Sequence, residues 1–265
     1  MKEILNKACG AAKALAVEAG EKIMEIYAKD FGVEYKDDKS PITLADKKAN
    51  DIICKGLAEQ FPDMAILAEE STDDLARLSN DWCFLVDPLD GTKEFVKKND
   101  EFTVNIALAY KGEAVMGVIY IPVRDKLYWA VKDAGAYVQA KNDLSRRIYA
   151  SDNTDNLTLA VSRSHLTDKE QVLIDTHDIG NVIKSGSSIK GCLVAEGTAD
   201  IYYRYGGSMQ WDTAAMQIIA EEAGAVFRQM DGSEMRYNRR GLKNEIGFFV
   251  VNRTDNIFED MLYGR

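Results

Sequence analysis

The stretch Trp82-Cys83-Phe84-Leu85-Val86-Asp87-Pro88-Leu89-Asp90-Gly91-Thr92-Lys93-Glu94-Phe95 decides how the chain is read. An apolar run, Cys83 to Val86, leads straight into two carboxylates, a proline and a glycine. That is the pattern of a buried strand ending at a polar site, and in layered α/β folds ligands bind at the carboxyl ends of strands. Pro88 fixes one backbone dihedral between the acids, and Gly91 admits a conformation that other residues resist. Asp87, the Leu89 carbonyl, Asp90 and Thr92 can therefore converge. Oxygen donors packed this densely suit a hard cation such as magnesium. The alternative is an Asp-Pro-x-Asp-Gly surface turn that holds no metal. The strand before the acids and the Thr-Lys-Glu-Phe run after them favour a site.

Upstream, apolar residues from Ile4 to Ile26 recur at helical spacing, which predicts one long amphipathic helix over residues 2–29. A short strand and turn follow over 32–39. Thr43-Leu44-Ala45-Asp46 then opens a second helix running to about Gln60. A threonine with an acid three residues on resembles a capping box, which is by itself a sufficient reason for Asp46. Residues 64–68 read as a short apolar strand that delivers Glu69 and Glu70. Adjacent glutamates are often just solvated, but their place after a buried strand makes Glu69 the better ligand candidate.

Downstream, residues 102–139 alternate apolar runs with turn signals, the pattern of an antiparallel meander and a scaffold without visible chemistry. The polar segment 141–156 marks the expected junction between an amino-terminal α+β half, 1–150, and a carboxyl-terminal α/β half, 151–265. In the second half strands are predicted near 157–161, 181–184, 201–204, 225–227 and 247–251, with helices between them, the last over 213–223. Ser187 and Ser188 open a predicted helix, where free N–H groups and the helix dipole welcome a phosphate. Ordinary N-capping is the simpler reading of those serines, and of Asp212 before the last helix.

At 265 residues the chain can bury a large core. It is 46% hydrophobic and 29% charged, as an ordinary globular protein is, and its net charge of −10 argues against binding nucleic acid polymers. A phosphorylated small molecule would need carboxylate-held metal ions to reverse the local field. Cys9, Cys54, Cys83 and Cys192 are scattered, without a CxxC pair, and read as buried thiols in a reducing compartment. The amino terminus lacks a signal-like apolar run and no stretch approaches membrane-spanning length, so a cytoplasmic protein is expected, one that could still associate with the inner membrane from its surface.

DPLDGTKEF, residues 87–95, resembles the signature of the lithium-sensitive, magnesium-dependent phosphatases of the inositol monophosphatase superfamily. Trp211-Asp212-Thr213-Ala214-Ala215 is similar to its second signature, and Glu69-Glu70-Ser71 to its third. Lys93-Glu94-Phe95 resembles the 3'(2'),5'-bisphosphate nucleotidase branch. So do the segments at 162–165, 186–190, 195–200 and 203–205. The resemblance implies an αβαβα sandwich and two or three magnesium ions on Glu69, Asp87, the Leu89 carbonyl, Asp90 and Asp212. It implies Thr92, polarised by Asp46, as the group that takes a proton from the attacking water. Substrate contacts would fall to Gly91, Thr92, His165, Ser187, Lys190, Arg204 and Asp212, with the cations meeting the phosphate that is not cleaved. The implied substrate is adenosine 3',5'-bisphosphate, with its sulfated precursor as a second candidate, in sulfur metabolism, and a homodimer is an implied assembly. An inositol monophosphatase, a sugar bisphosphatase and a magnesium-dependent nucleotide sensor remain the alternatives. The sequence offers no GxSxG, Walker loop, HExxH or Cys–His arrangement for a rival chemistry.

Overall fold

The alanine-rich repeat at the amino terminus forms α1 (Lys2–Tyr27), which buries Ala8, Ala12, Ala16, Ala19 and Ile23. In this computed structural model residues 1–29, 32–36, 41–141, 143–163 and 166–263 are described. A two-stranded ladder of β1 (Val33–Tyr35) and β2 (Pro41–Thr43) leads into α2 (Leu44–Gln60), which packs beside α1. Next come β3 (Ala65–Ala68), β4 (Trp82–Asp90), the short α3 (Thr92–Val96), β5 (Thr103–Tyr110), β6 (Glu113–Ile121), β7 (Lys126–Val131), β8 (Gly135–Ala140) and β9 (Arg146–Ile148). Strands β3 to β9 form a seven-stranded sheet in that order, parallel only between β3 and β4.

The chain continues through β10 (Leu157–Ser162), α4 (Asp168–Thr176), β11 (Ile179–Ser185), α5 (Ile189–Ala195), β12 (Ile201–Arg204), β13 (Ser208–Met209), α6 (Gln210–Glu222), β14 (Val226–Gln229), β15 (Lys243–Asn244) and β16 (Phe248–Val251). Five of these strands form a second sheet in the order β11-β10-β12-β16-β14, and β13 pairs with β15.

Period-two alternation sorts the side chains into layers. Phe84, Val86, Ile106 and Leu108 share a core with α1 and α2, whereas Cys83, Leu85, Ala107 and Ala109 face α5 and α6. In the second sheet Ala160, Tyr202, Phe248 and Val250 join that middle core, and Leu159, Val161, Tyr203 and Phe249 form an outer one with Leu173 of α4. The result is five layers, αβαβα, as expected. Because helices cover both faces, the strands read as apolar runs rather than as half-polar ones. Helix α6 lies very close to the first sheet: a Cβ at Gly117 would stand 2.8 Å from the backbone of Ala215. The alanines of the Trp-Asp-Thr-Ala-Ala run are what this approach requires.

Strand β9 falls within the polar segment 141–156 and pairs with β8. Two expectations are corrected. Helix α6 begins at Gln210, three residues before the predicted start, which places Asp212 inside its first turn. Strand β4 does not stop at Val86 but runs through both acids to Asp90.

Candidate active site

A strand that runs through Asp87 and Asp90 should send them to opposite faces, because they lie three residues apart. A bulge prevents this. Asp87 pairs with Asn105 and Asp90 with Thr103, so three steps along β4 match two along β5. Thr103 and Asn105 share one face, and the bulge at Pro88-Leu89 therefore returns both acids to it. Gly91 turns the chain from β4 into α3 with φ +94°, and a Cβ there would lie 2.9 Å from the Glu101 carbonyl oxygen.

Thr92, the first residue of α3, meets Asp46 from α2. Its hydroxyl donates to Asp46 Oδ1 at 3.0 Å, with the Leu89 carbonyl oxygen as a second acceptor at 3.2 Å. Asp46 Oδ2 accepts the Thr43 N–H at 2.7 Å and the Thr43 hydroxyl at 2.6 Å. The capping box read from the sequence is present, and it uses only one of the two carboxylate oxygens. Asp46 is buried, and burial raises its pKa above the usual carboxylate value against the pull of Thr43 and Thr92.

Two of the acids around this pair, Asp87 and Asp212, have no ion-pair partner among the described residues. Asp87 is buried and accepts only the Leu89 N–H among the described residues, at 3.1 Å. Burial, then Glu69, Asp90 and Asp212, raise its pKa well above the ordinary value. Asp212, in the first turn of α6, accepts the Met209 N–H at 2.8 Å. Burial and the charges of Asp90 and Glu69 push it up to about 8, against the Met209 N–H and Arg204. Buried carboxylates crowded in this way fit a hard divalent cation, which would supply the missing charge.

Among the described residues no three His, Cys, Asp or Glu side chains stand ready in a metal-binding arrangement. Lys36, which was not anticipated, places its ammonium 2.7 Å from Glu69 and 2.5 Å from Glu70. Burial opposes that ammonium, but the two glutamates outweigh it and hold its pKa above the usual value. Asp90, for its part, turns Oδ2 to the start of α5, where Ser187 Oγ, the Ser188 N–H and Ser188 Oγ all donate to it at 2.7 Å. The helix start expected to meet a phosphate is thus occupied by the protein's own carboxylate.

Thr103 and Asn105, assigned above to plain scaffold, belong to this site. Both are fully buried; Asn105 donates to Ser188 Oγ at 2.8 Å, and Thr103 lies 2.6 Å from Ser187 Oγ. Their signal was polar residues at alternate positions inside an otherwise apolar strand.

Beside the acids opens a cavity of about 370 Å³ whose wall includes Asp90, Gly91, Lys93, Ser187, Arg204 and Asp212. Arg204 donates through Nη2 to the Gly207 carbonyl at 3.2 Å, whereas its buried Nε and the Tyr205 hydroxyl have no partner among the described residues. Lys190 stands in the wall, yet its ammonium is held by the carbonyls of Ser187 at 2.8 Å and Ser185 at 3.2 Å. It anchors the 185–188 backbone instead of reaching outward. His165 lies outside the described residues.

Comparison with known proteins extends the picture. The sequence pattern of the inositol monophosphatase family matches residues 5–249. The 3'(2'),5'-bisphosphate nucleotidase CysQ of Buchnera aphidicola is 41% identical over 241 residues, covering 89% of this chain and 88% of that protein. Its namesake from Escherichia coli (strain K12) is 39% identical over 240 residues, with 89% and 96% covered. The crystal structure of CysQ from Bacteroides thetaiotaomicron, described as a bacterial member of the inositol monophosphatase family, superimposes with a TM-score of 0.81 at 42% identity and covers 93% of this chain and 98% of its own. The extragenic suppressor protein suhB of Bartonella henselae follows with a TM-score of 0.80 at 26% identity, with 93% and 94% covered. No helix among the described residues is long and apolar enough to cross a membrane.

Proposed function

The chain belongs to the inositol monophosphatase family, and on that premise we propose that it is a magnesium-dependent phosphatase that removes the 3'-phosphate of adenosine 3',5'-bisphosphate, leaving AMP and phosphate. The observation that carries this reading is the Thr92–Asp46 hydrogen bond beside the buried Asp87, whose carboxylate feels the charges of Glu69, Asp90 and Asp212. The nucleotide is preferred over an inositol phosphate because the nucleotidases are about 40% identical to this chain, whereas the inositol monophosphatase from Anabaena is 25% identical. A cavity wall holding Lys93 and Arg204 also suits a second phosphate.

In this reading the half spanning residues 1–150 supplies Asp46, Glu69, Asp87, Leu89, Asp90 and Thr92, and the half spanning 151–265 supplies Asp212 and most of the cavity. Glu69, Asp87, the Leu89 carbonyl, Asp90 and Asp212 would hold two or three ions. When bound, magnesium supplies the charge that admits a phosphate to an acidic site and lowers the pKa of the attacking water. The protein's own groups manage the proton. Thr92 Oγ1 accepts it from water while passing its own toward Asp46 Oδ1, which the capping contacts hold in place. Water attacks phosphorus directly, the ester bond to the 3'-oxygen breaks, and no residue becomes phosphorylated. Gly91, the Ser187 turn, Arg204 and Asp212 position the nucleotide. Turnover in ¹⁸O-labelled water tests the step: the label should appear in the released phosphate and not in AMP, and a trapped phosphoprotein would refute it.

A further inference from the structure

Glu101 lies in the connection between α3 and β5 and is only 4% exposed. Its carboxylate is hydrogen-bonded to two groups, with Arg124 Nη2 a further 4.0 Å from Oε1. Oε1 accepts Arg163 Nη2 at 2.5 Å, and Oε2 accepts both Arg163 Nε at 2.5 Å and the Gly186 N–H at 2.8 Å. Arg163 lines the cavity, and its Nη1 has no hydrogen bond among the described residues. Gly186 immediately precedes Ser187, whose φ of +54° is unfavourable for a residue with a Cβ and needs support from its surroundings. Ser187 and Ser188 in turn grip Asp90 Oδ2. One buried carboxylate thus fixes a cationic side chain in the cavity wall and, through a backbone turn, the orientation of Asp90.

We propose that Glu101 is a positioning residue that couples the substrate cavity to the metal-facing orientation of Asp90, with Arg163 its partner for an anionic group of the substrate. This rests on the reading of the acidic cluster and cavity given above. With Oδ2 committed to three donors at 2.7 Å and, more weakly, to Asn105 and Thr103, Asp90 keeps Oδ1 for a cation, and the Glu101–Gly186 bond maintains that division.

The test combines calorimetric titration of magnesium into the full-length, substrate-free chain with the KM for adenosine 3',5'-bisphosphate. Glu101→Ala should weaken magnesium binding and raise KM, each about tenfold, the effect of losing one charged hydrogen bond. Glu101→Gln keeps an acceptor for the Gly186 N–H, so it should raise KM while magnesium binding stays within about twofold. Arg163→Met should raise KM alone. Should Glu101→Ala fail to fold, the other two variants decide, and an unchanged KM in both overturns the proposal. Magnesium binding and KM both unmoved in a folded Glu101→Ala chain would reduce Glu101 to a structural contact. Magnesium binding weakened as much by Arg163→Met as by Glu101→Ala would remove the separate route through Gly186. Failure of the parent chain to turn over the nucleotide would sink the functional reading, while the magnesium titrations would still decide the role of Glu101.

Discussion

Asp46 Oδ1 accepts the Thr92 hydroxyl at 3.0 Å, while its Oδ2 closes the cap of α2 through Thr43. A structural contact and a chemical one therefore share a carboxylate, and neither displaces the other. Removing the relay should damage chemistry more than binding. Thr92→Val is expected to lower kcat roughly a hundredfold to ten-thousandfold, with magnesium binding little changed, and Thr92→Ser should restore most of the rate. Steady-state kinetics with parallel metal titration would check this.

The metal-free protein should respond to pH in a defined direction. Asp212 has its pKa raised from 3.8 to about 8, chiefly by burial and by Asp90. A carboxyl favoured in its protonated form by the fold contributes stability below pH 3.8 and loses that contribution as pH rises through about 8. A bound cation must displace that proton, so binding tightens as pH rises. The rise in melting temperature on adding magnesium should be larger near pH 8.5 than near pH 6, by roughly 2–4 °C for each kcal/mol of linkage. Equal shifts at the two values would contradict the placement of Asp212 in the ion site.

Lys36 pairs with both Glu69 and Glu70 in the metal-free chain. Lys36→Met should lower the melting temperature without metal, at a cost of about 1 kcal/mol, and enlarge the stabilisation given by magnesium, because the ion no longer competes with an ammonium. Thermal melts with and without magnesium distinguish this from a simple loss of packing, which would lower both curves equally.

The close approach of α6 to β6 predicts a remote effect. Gly117→Val would force Ala215 away, costing about 1–3 kcal/mol through overpacking. Because Asp212 sits in the first turn of that helix, its half-saturation by magnesium should rise as well. Loss of stability with an unchanged magnesium response would show that the first turn moves independently of Ala215.

Much of this architecture was legible in the sequence, because helices cover both faces of each sheet and produce the uninterrupted apolar runs at 83–86 and 248–251. The acids, Thr92 and Asp46 stood out for their context. The bulge that brings Asp87 and Asp90 to one face did not: a proline between two acids reads equally well as a turn after a strand. Thr103 and Asn105 were hidden because their role depends on the pairing of β5 with β4. Lys36 and Glu101 act on residues tens of positions away, and no local pattern announces such partners. Lys190 shows the converse, a lysine expected to meet the uncleaved phosphate but whose ammonium the neighbouring carbonyls take up.

The most direct test is phosphate release at saturating magnesium from adenosine 3',5'-bisphosphate and from inositol 1-phosphate, measured side by side for the parent chain and Asp87→Asn. Strong preference for the nucleotide, abolished in the variant, is the predicted result. Preference for the inositol phosphate would overturn the substrate assignment, and full activity in Asp87→Asn would contradict the acidic cluster as the seat of the reaction.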